Sequence, residues 1–118
     1  MSEEISSSPT QARLDWTRSE SMQTLRALAP APFDAFAQLE QAVFRDGALD
    51  ARTKALIAVA VTHVTQCEGC IDLHVRNALR LGATPPELAE AIWVAAELRA
   101  GAAIGQLRVS ARHLAQDA

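Results

Sequence analysis

Alanine occupies 24 of the 118 positions of this chain, and tyrosine is absent. Alanine has the highest intrinsic helix propensity, and it is the smallest side chain that still packs in a core. A chain with so much alanine and so few aromatic residues is expected to form helices that approach one another closely. The composition therefore predicts an all-α fold, and the length predicts a single domain, because domains commonly contain ~100–200 residues.

Apolar residues recur at helical spacing in about six segments separated by short breaks. Asp50 and Thr84 stand before two of these segments as N-cap residues, and Thr84 with Glu87 has the spacing of a capping box. Gly82 is expected to end the fourth helix. The helices are predicted over residues 9–28, 32–44, 51–65, 68–81, 85–101 and 103–115. Residues 1–8 are polar and without periodicity, and they predict a flexible tail before one helical domain over residues 9–118.

Charge and hydropathy exclude several classes of protein. The net charge of −3 argues against a nucleic-acid partner, because nucleic-acid-binding domains usually carry clustered Lys and Arg. No apolar run reaches the ~18–20 residues that cross a bilayer, and no secretory signal pattern opens the chain. The expected location is therefore the cytoplasm, with no membrane partner.

Residues 63–74 hold both cysteines and two of the three histidines: His63, Cys67, Cys70 and His74. All four side chains are types that bind zinc, but on one straight helix the first and last lie about 16 Å apart. Zinc ligands must all lie ~2.0–2.3 Å from the ion, so this interpretation needs a helix break near Gln66 or ligands from two subunits. A second interpretation is that the two cysteines are small apolar packing residues.

A redox role fits this spacing better. Cys67 and Cys70 lie three residues apart across the first turn of a predicted helix, close enough to form a disulfide. The positive end of the helix dipole lowers the pKa of a thiol at this position. His74 lies four residues after Cys70 and seven after Cys67, so it shares their helix face and can accept a thiol proton. These three residues are the candidate dithiol centre.

Three segments together resemble the carboxymuconolactone decarboxylase superfamily, in its alkylhydroperoxidase D-like branch. They are LDARTKALIAVA at residues 49–60, CEGCIDLH at 67–74 and ALRLGAT at 78–84. The resemblance is strong over residues 49–105 and looser over 32–114. It implies an all-α fold assembled as a homotrimer or homohexamer, and a thiol-dependent peroxidase or disulfide reductase activity.

The resemblance also implies residue roles. Cys70 would be the peroxidatic thiol, Cys67 the resolving thiol, and His74 a member of the proton relay. The helix dipole alone favours Cys67 as the more acidic thiol, whereas the resemblance and the position of His74 favour Cys70. The partners implied are a hydroperoxide substrate and an external thiol donor, and no bound cofactor is needed.

The chain departs from the family pattern at two positions. Ala55 stands where well-studied members carry a glutamate, and Gly69 stands where they often carry a histidine. The sequence offers other candidates for the proton relay, namely His63, Glu68, Asp72, Glu97 or a carboxylate of a partner subunit. Two alternatives to the peroxidase therefore remain: a redox-sensing or interaction module with little peroxide turnover, and a lyase that opens and decarboxylates a lactone acid.

Overall fold

The computed structural model describes residues 14–115, with side chains from Trp16 onward. The predicted tail and the first five residues of the predicted first helix lie outside the described residues. Within the described part the chain forms six α-helices and no strand, as the sequence predicts. A 3₁₀ turn at Leu14–Arg18 precedes α1 (Glu20–Leu28), α2 (Pro30–Phe44), α3 (Ala51–Thr65), α4 (Glu68–Arg80), α5 (Pro85–Gly105) and α6 (Leu107–Leu114).

Two helix starts follow the predicted capping signals. The Asp50 carboxylate accepts a 2.7 Å hydrogen bond from the Thr53 N–H and begins α3. Thr84 and Glu87 form the predicted capping box at the start of α5. Hydrogen bonds from the Thr53 hydroxyl and N–H hold the pKa of Asp50 below its ordinary value of 3.8. Hydrogen bonds from the Thr84 N–H and hydroxyl, and one from Arg52, hold the pKa of Glu87 below its ordinary value of 4.5.

The ends of the chain differ from the sequence prediction. The first predicted helix is divided, because the Ser19 hydroxyl accepts from the Met22 N–H and starts α1 anew. Helix α2 begins at Pro30 rather than residue 32, since a proline at the first position of a helix needs no N–H partner. The predicted end of α5 at Gly101 is wrong, because the helix continues to Gly105. Gly101 keeps a negative φ, and the neighbouring alanines offset the ~1 kcal/mol by which glycine destabilises a helix interior. Helix α6 consequently starts at Leu107.

Helix α3 is the centre of the fold and packs against both α4 and α5. The core cluster is built mostly from small side chains, which lets the helix axes approach closely. Its buried members are Ala55, Val59, Ala78, Ala83 and Leu88. Alanine at a helix contact therefore has the packing role that the composition predicts.

Polar contacts fix α5 on α3 at both ends of the pair. At one end, Arg52 of α3 donates to both carboxylate oxygens of Glu87 at the start of α5. At the other end, Arg99 of α5 donates to the backbone carbonyl of Val64, 3.1 Å away, in the last turn of α3. These contacts orient the end of α3, from which the chain continues into α4.

Many large apolar side chains of α5 and α6 remain exposed. Trp93 is 73% exposed, Ile104 70% and Leu114 73%, and Ile92, Val94, Leu98, Leu107 and Val109 are exposed as well. No helix in the described part of the chain combines the length and apolar character needed to span a membrane. The exposed side chains form what we call the α5–α6 apolar strip.

Candidate functional site

The chain changes direction between α3 and α4, immediately before the first cysteine. Gln66 adopts a left-handed backbone conformation, with φ 58° and ψ 37°, and its N–H donates to the Thr62 carbonyl. Cys67 follows as the N-cap of α4, and Cys70 lies in the first turn of that helix. The break that the zinc interpretation required near Gln66 is present, and it places both sulfur atoms at a helix N-terminus.

Cys67 and Cys70 are joined as a disulfide, with a Cα–Cα distance of 5.2 Å. Both residues are half-buried, whereas Glu68 and Gly69 between them are exposed. A Cβ added at Gly69 would have no other atom within 4 Å, so glycine at this position is not required by packing. The disulfide is thus held at the protein surface with open space beside it.

Beside the disulfide lies an open cavity of about 560 Å³. This volume falls within the ~300–1,000 Å³ range of small-molecule sites. The walls are mostly apolar, with a few polar side chains among them. They are formed by Trp16, Phe36, Glu40, Phe44, Cys67, Gly69, Cys70, Leu73, His74 and Arg76.

His74 lies in the wall of this cavity, one helical turn after Cys70. Its imidazole is half-buried and contacts the Phe44 ring, with a centroid distance of 5.7 Å. Another cavity, of about 320 Å³, is lined by Ile57 and Val61 of α3 and also by His74. The structure therefore brings together Cys67, Cys70 and His74 of the predicted dithiol centre around a shared cavity.

The other predicted relay candidates lie elsewhere. The His63 Nδ1 lies 2.8 Å from the Val59 carbonyl oxygen of its own helix. Asp72 is exposed and accepts a 3.1 Å hydrogen bond from Arg76. Neither of these residues, nor Glu68 or Glu97, lines the cavity with the disulfide.

Position 55, where the resemblance predicts a glutamate, is not part of the cavity. Ala55 has no exposed surface and lies in the core cluster with Val59 and Ala78. The carboxylate that does line the cavity belongs to Glu40, and sequence analysis did not identify it. Phe36, Glu40 and Phe44 are four residues apart, so their shared face of α2 was a signal available in the sequence.

Trp16 lies in the 3₁₀ turn that precedes α1. Its ring packs against Phe33 and Phe36, with centroid distances of 5.6 and 5.7 Å. Its indole N–H donates a hydrogen bond to the Glu40 carboxylate. Trp16 also lines the cavity, so it belongs to the wall of the site as well as to the packing around α2.

Metal ligation requires several donor side chains at one place. Among residues 14–115, no three His, Cys, Asp or Glu side chains are grouped closely enough to hold a metal ion. The four residues of the zinc interpretation do not form such a group, because His63 turns back onto its own helix.

Two curated bacterial relatives are similar over part of the chain. A Paracoccus denitrificans protein described as uncharacterized protein 4 in cox locus is 67% identical over 70 residues, which are 59% of this chain and 63% of its own length. An uncharacterized protein of Cupriavidus necator is 39% identical over 72 residues, which are 61% of this chain and 64% of its own length. The similarity thus spans a little under two thirds of each relative.

Two solved structures have the same fold. A crystal structure of a protein from Methanobacterium thermoautotrophicum superposes with a TM-score of 0.68 at 36% identity, covering 72% of this chain and 96% of that one. The apo structure of a carboxymuconolactone decarboxylase family protein from Legionella pneumophila superposes with a TM-score of 0.65 at 36% identity. The match covers 76% of this chain and 79% of that one. A sequence model described as Carboxymuconolactone decarboxylase family matches residues 30–112. The chain belongs to the carboxymuconolactone decarboxylase family.

Proposed function

We propose that this protein is a thiol-dependent peroxidase, a disulfide oxidoreductase that uses the Cys67–Cys70 pair to reduce hydroperoxides. The observation that carries this proposal is the disulfide at the N-terminus of α4, in the wall of a small-molecule-sized cavity that also contains His74. Family membership supports the proposal only in part, because the name of the family describes a lyase and the curated relatives are uncharacterized.

The reaction begins from the reduced dithiol. The Cys70 thiolate attacks the terminal oxygen of the hydroperoxide, the O–O bond breaks, and the departing alkoxide takes up a proton to become an alcohol. Cys70 is then a sulfenic acid. The Cys67 thiolate attacks the Cys70 sulfur, the disulfide forms, and hydroxide leaves and is protonated to water. One hydroperoxide and two thiols give one alcohol, one water and one disulfide.

Position on α4 supports the division of roles. His74 is one turn after Cys70 on the same face, so it favours Cys70 as the attacking thiol, whereas the helix dipole by itself favours Cys67 at the N-cap. His74 is the proposed proton carrier: it accepts the Cys70 thiol proton and returns a proton to the alkoxide. Cys67, as the N-cap residue, is the resolving thiol.

Reduction of the disulfide requires an external thiol donor, which is a partner of this proposed cycle. A transient catalytic disulfide suits a reducing compartment, so the cytoplasm is the proposed location. The α5–α6 apolar strip supports assembly of several copies as a homotrimer or homohexamer, because large exposed apolar patches mark interaction surfaces.

The test measures the fate of the thiols. Fully reduced protein is treated with one equivalent of cumene hydroperoxide and followed by thiol titration and intact mass. We expect both thiols to disappear with a mass loss of ~2 Da, whereas Cys67→Ser gains ~16 Da as the trapped sulfenic acid. Cys70→Ser is expected to show neither change and no turnover with a dithiol donor. Peroxide turnover that persists in Cys70→Ser would overturn the assignment.

A redox-sensing module is the second candidate function. Alanine at position 55 favours it, because the chain has no carboxylate at the position where the family resemblance predicts one. A sensor oxidises its dithiol stoichiometrically but does not turn over with a dithiol donor. The same experiment, extended to many equivalents of peroxide, distinguishes the two functions, and consumption of a lactone acid would instead indicate the lyase.

A further inference from the structure

Trp16 lies outside the part of the chain that the family model matches, which begins at residue 30. It nevertheless lines the cavity that contains the Cys67–Cys70 disulfide. The segment before α2 therefore adds a wall to the site beyond the residues that identify the family.

Several contacts hold Trp16 in that wall. Its indole ring packs edge-on against Phe36, another lining residue, and at a tilt against Phe33 of the same helix. Its N–H donates to Glu40, which lies between Phe36 and Phe44 on the cavity face of α2. The ring is thus anchored at its polar edge, while its apolar surface contributes to the cavity.

We propose that Trp16 is a specificity-determining residue, whose indole contacts the organic group of the hydroperoxide and so favours bulky apolar hydroperoxides over hydrogen peroxide. This inference rests on the peroxidase proposed above. Attack by the Cys70 thiolate at the terminal oxygen leaves the rest of the substrate directed away from the sulfur. The organic group then extends into the cavity, where Trp16, Phe36 and Phe44 supply aromatic walls.

The size of the effect follows from apolar contact area. A tryptophan side chain buries ~150–250 Å² when fully covered, and a substrate lying on part of one ring face covers roughly 50 Å² of it. At ~25 cal/mol per Å², the loss of this contact corresponds to a change in selectivity of about 8-fold. Hydrogen peroxide has no organic group, so its reaction with Cys70 does not depend on this contact.

The experiment compares two oxidants in single-turnover oxidation of the reduced dithiol. The ratio of the rate constant with cumene hydroperoxide to that with hydrogen peroxide is expected to fall about 8-fold in Trp16→Ala. Trp16→Phe, which keeps an aromatic wall but loses the indole N–H, is expected to stay within about twofold of the native ratio. Leu28→Ala is the control, because Leu28 is 80% exposed on α1, lies outside the α5–α6 apolar strip and is not a lining residue. An unchanged ratio in Trp16→Ala, or an equal fall in Leu28→Ala, would overturn the inference.

A binding measurement separates this inference from the proposed function. In Trp93→Phe, Trp16 is the sole tryptophan, since the chain has two. The alcohol product of cumene hydroperoxide, 2-phenylpropan-2-ol, is expected to change the fluorescence emission of Trp16 in this variant, and the change should saturate with alcohol concentration. In Trp16→Phe, where Trp93 is the sole tryptophan, the alcohol is expected to leave the emission unchanged. If the dithiol is oxidised normally but Trp16 emission does not respond, the specificity role is wrong and the peroxidase stands. If neither peroxide oxidises the dithiol, the peroxidase is wrong, and the specificity role falls with it.

Discussion

Val59→Ala is the perturbation that tests the central packing of the fold most directly. Val59 lies on α3 and, among the described residues, is the largest side chain with no exposed surface. Removing two methyl groups costs about 1.6 kcal/mol in transfer free energy at ~0.8 kcal/mol per group. A residual cavity of roughly 50 Å³ adds about 1.2 kcal/mol at ~24 cal/mol per Å³. The expected loss in the free energy of unfolding is therefore about 2.5–3 kcal/mol.

Val61→Ala is the matched control on the same helix, because Val61 is 51% exposed. Its expected loss is within ~0.5 kcal/mol. Urea denaturation followed by far-UV circular dichroism gives both values, and an m-value near 2 kcal/mol per M makes the Val59→Ala midpoint shift about 1.3–1.5 M. The measurement is made at two protein concentrations. A loss of stability that arises within one chain does not depend on concentration, whereas a loss that arises from a broken subunit contact does. Equal, concentration-independent losses at both positions would refute the packing of α3 described above.

Two further predictions concern the helix ends. Hydrogen bonding in the folded protein lowers the pKa values of Asp50 and Glu87 from their ordinary values of 3.8 and 4.5. The two carboxylates therefore stabilise the fold at pH values above 3.8 and 4.5, and this stabilisation is lost as the pH falls through the lowered pKa values of the folded protein. Asp50→Asn and Glu87→Gln should therefore lower the thermal midpoint more at pH 7 than at pH 2, and an equal decrease at both pH values would contradict this. Gly82→Ala should lower the free energy of unfolding by about 1 kcal/mol or more, because Gly82 has a φ of +93°. Gly69 lies inside α4 with open space around it, so Gly69→Ala should leave the free energy of unfolding unchanged or raise it by about 0.5–1 kcal/mol. Chemical denaturation of the two glycine variants checks the contrast, and similar effects at both positions would oppose it.

The accuracy of the sequence prediction depended on the range of the interactions involved. Asp50, Gly82 and Thr84 were correctly identified because caps and left-handed turns act over a few residues. Gly101 was misjudged, because glycine only permits a helix end and the adjacent alanines continued the helix. The start of α2 was predicted two residues too late, because a proline can occupy the first position of a helix.

The candidate site divides in the same way. Cys67, Cys70 and His74 lie within eight residues on one helix, so their spacing alone predicts a shared face. Trp16 and Glu40 lie on other elements, and their place beside the disulfide follows from the packing of α2 and the 3₁₀ turn.

The sequence by itself determined that the chain is helical, where most helices begin, and which side chains are candidates for the dithiol centre. Each of these depends on backbone geometry that repeats every few residues. Only the tertiary structure decided that Ala55 lies in the core and that Trp16 and Glu40 close the cavity wall. These positions are set by side-chain packing between helices far apart in the chain, which local spacing does not encode.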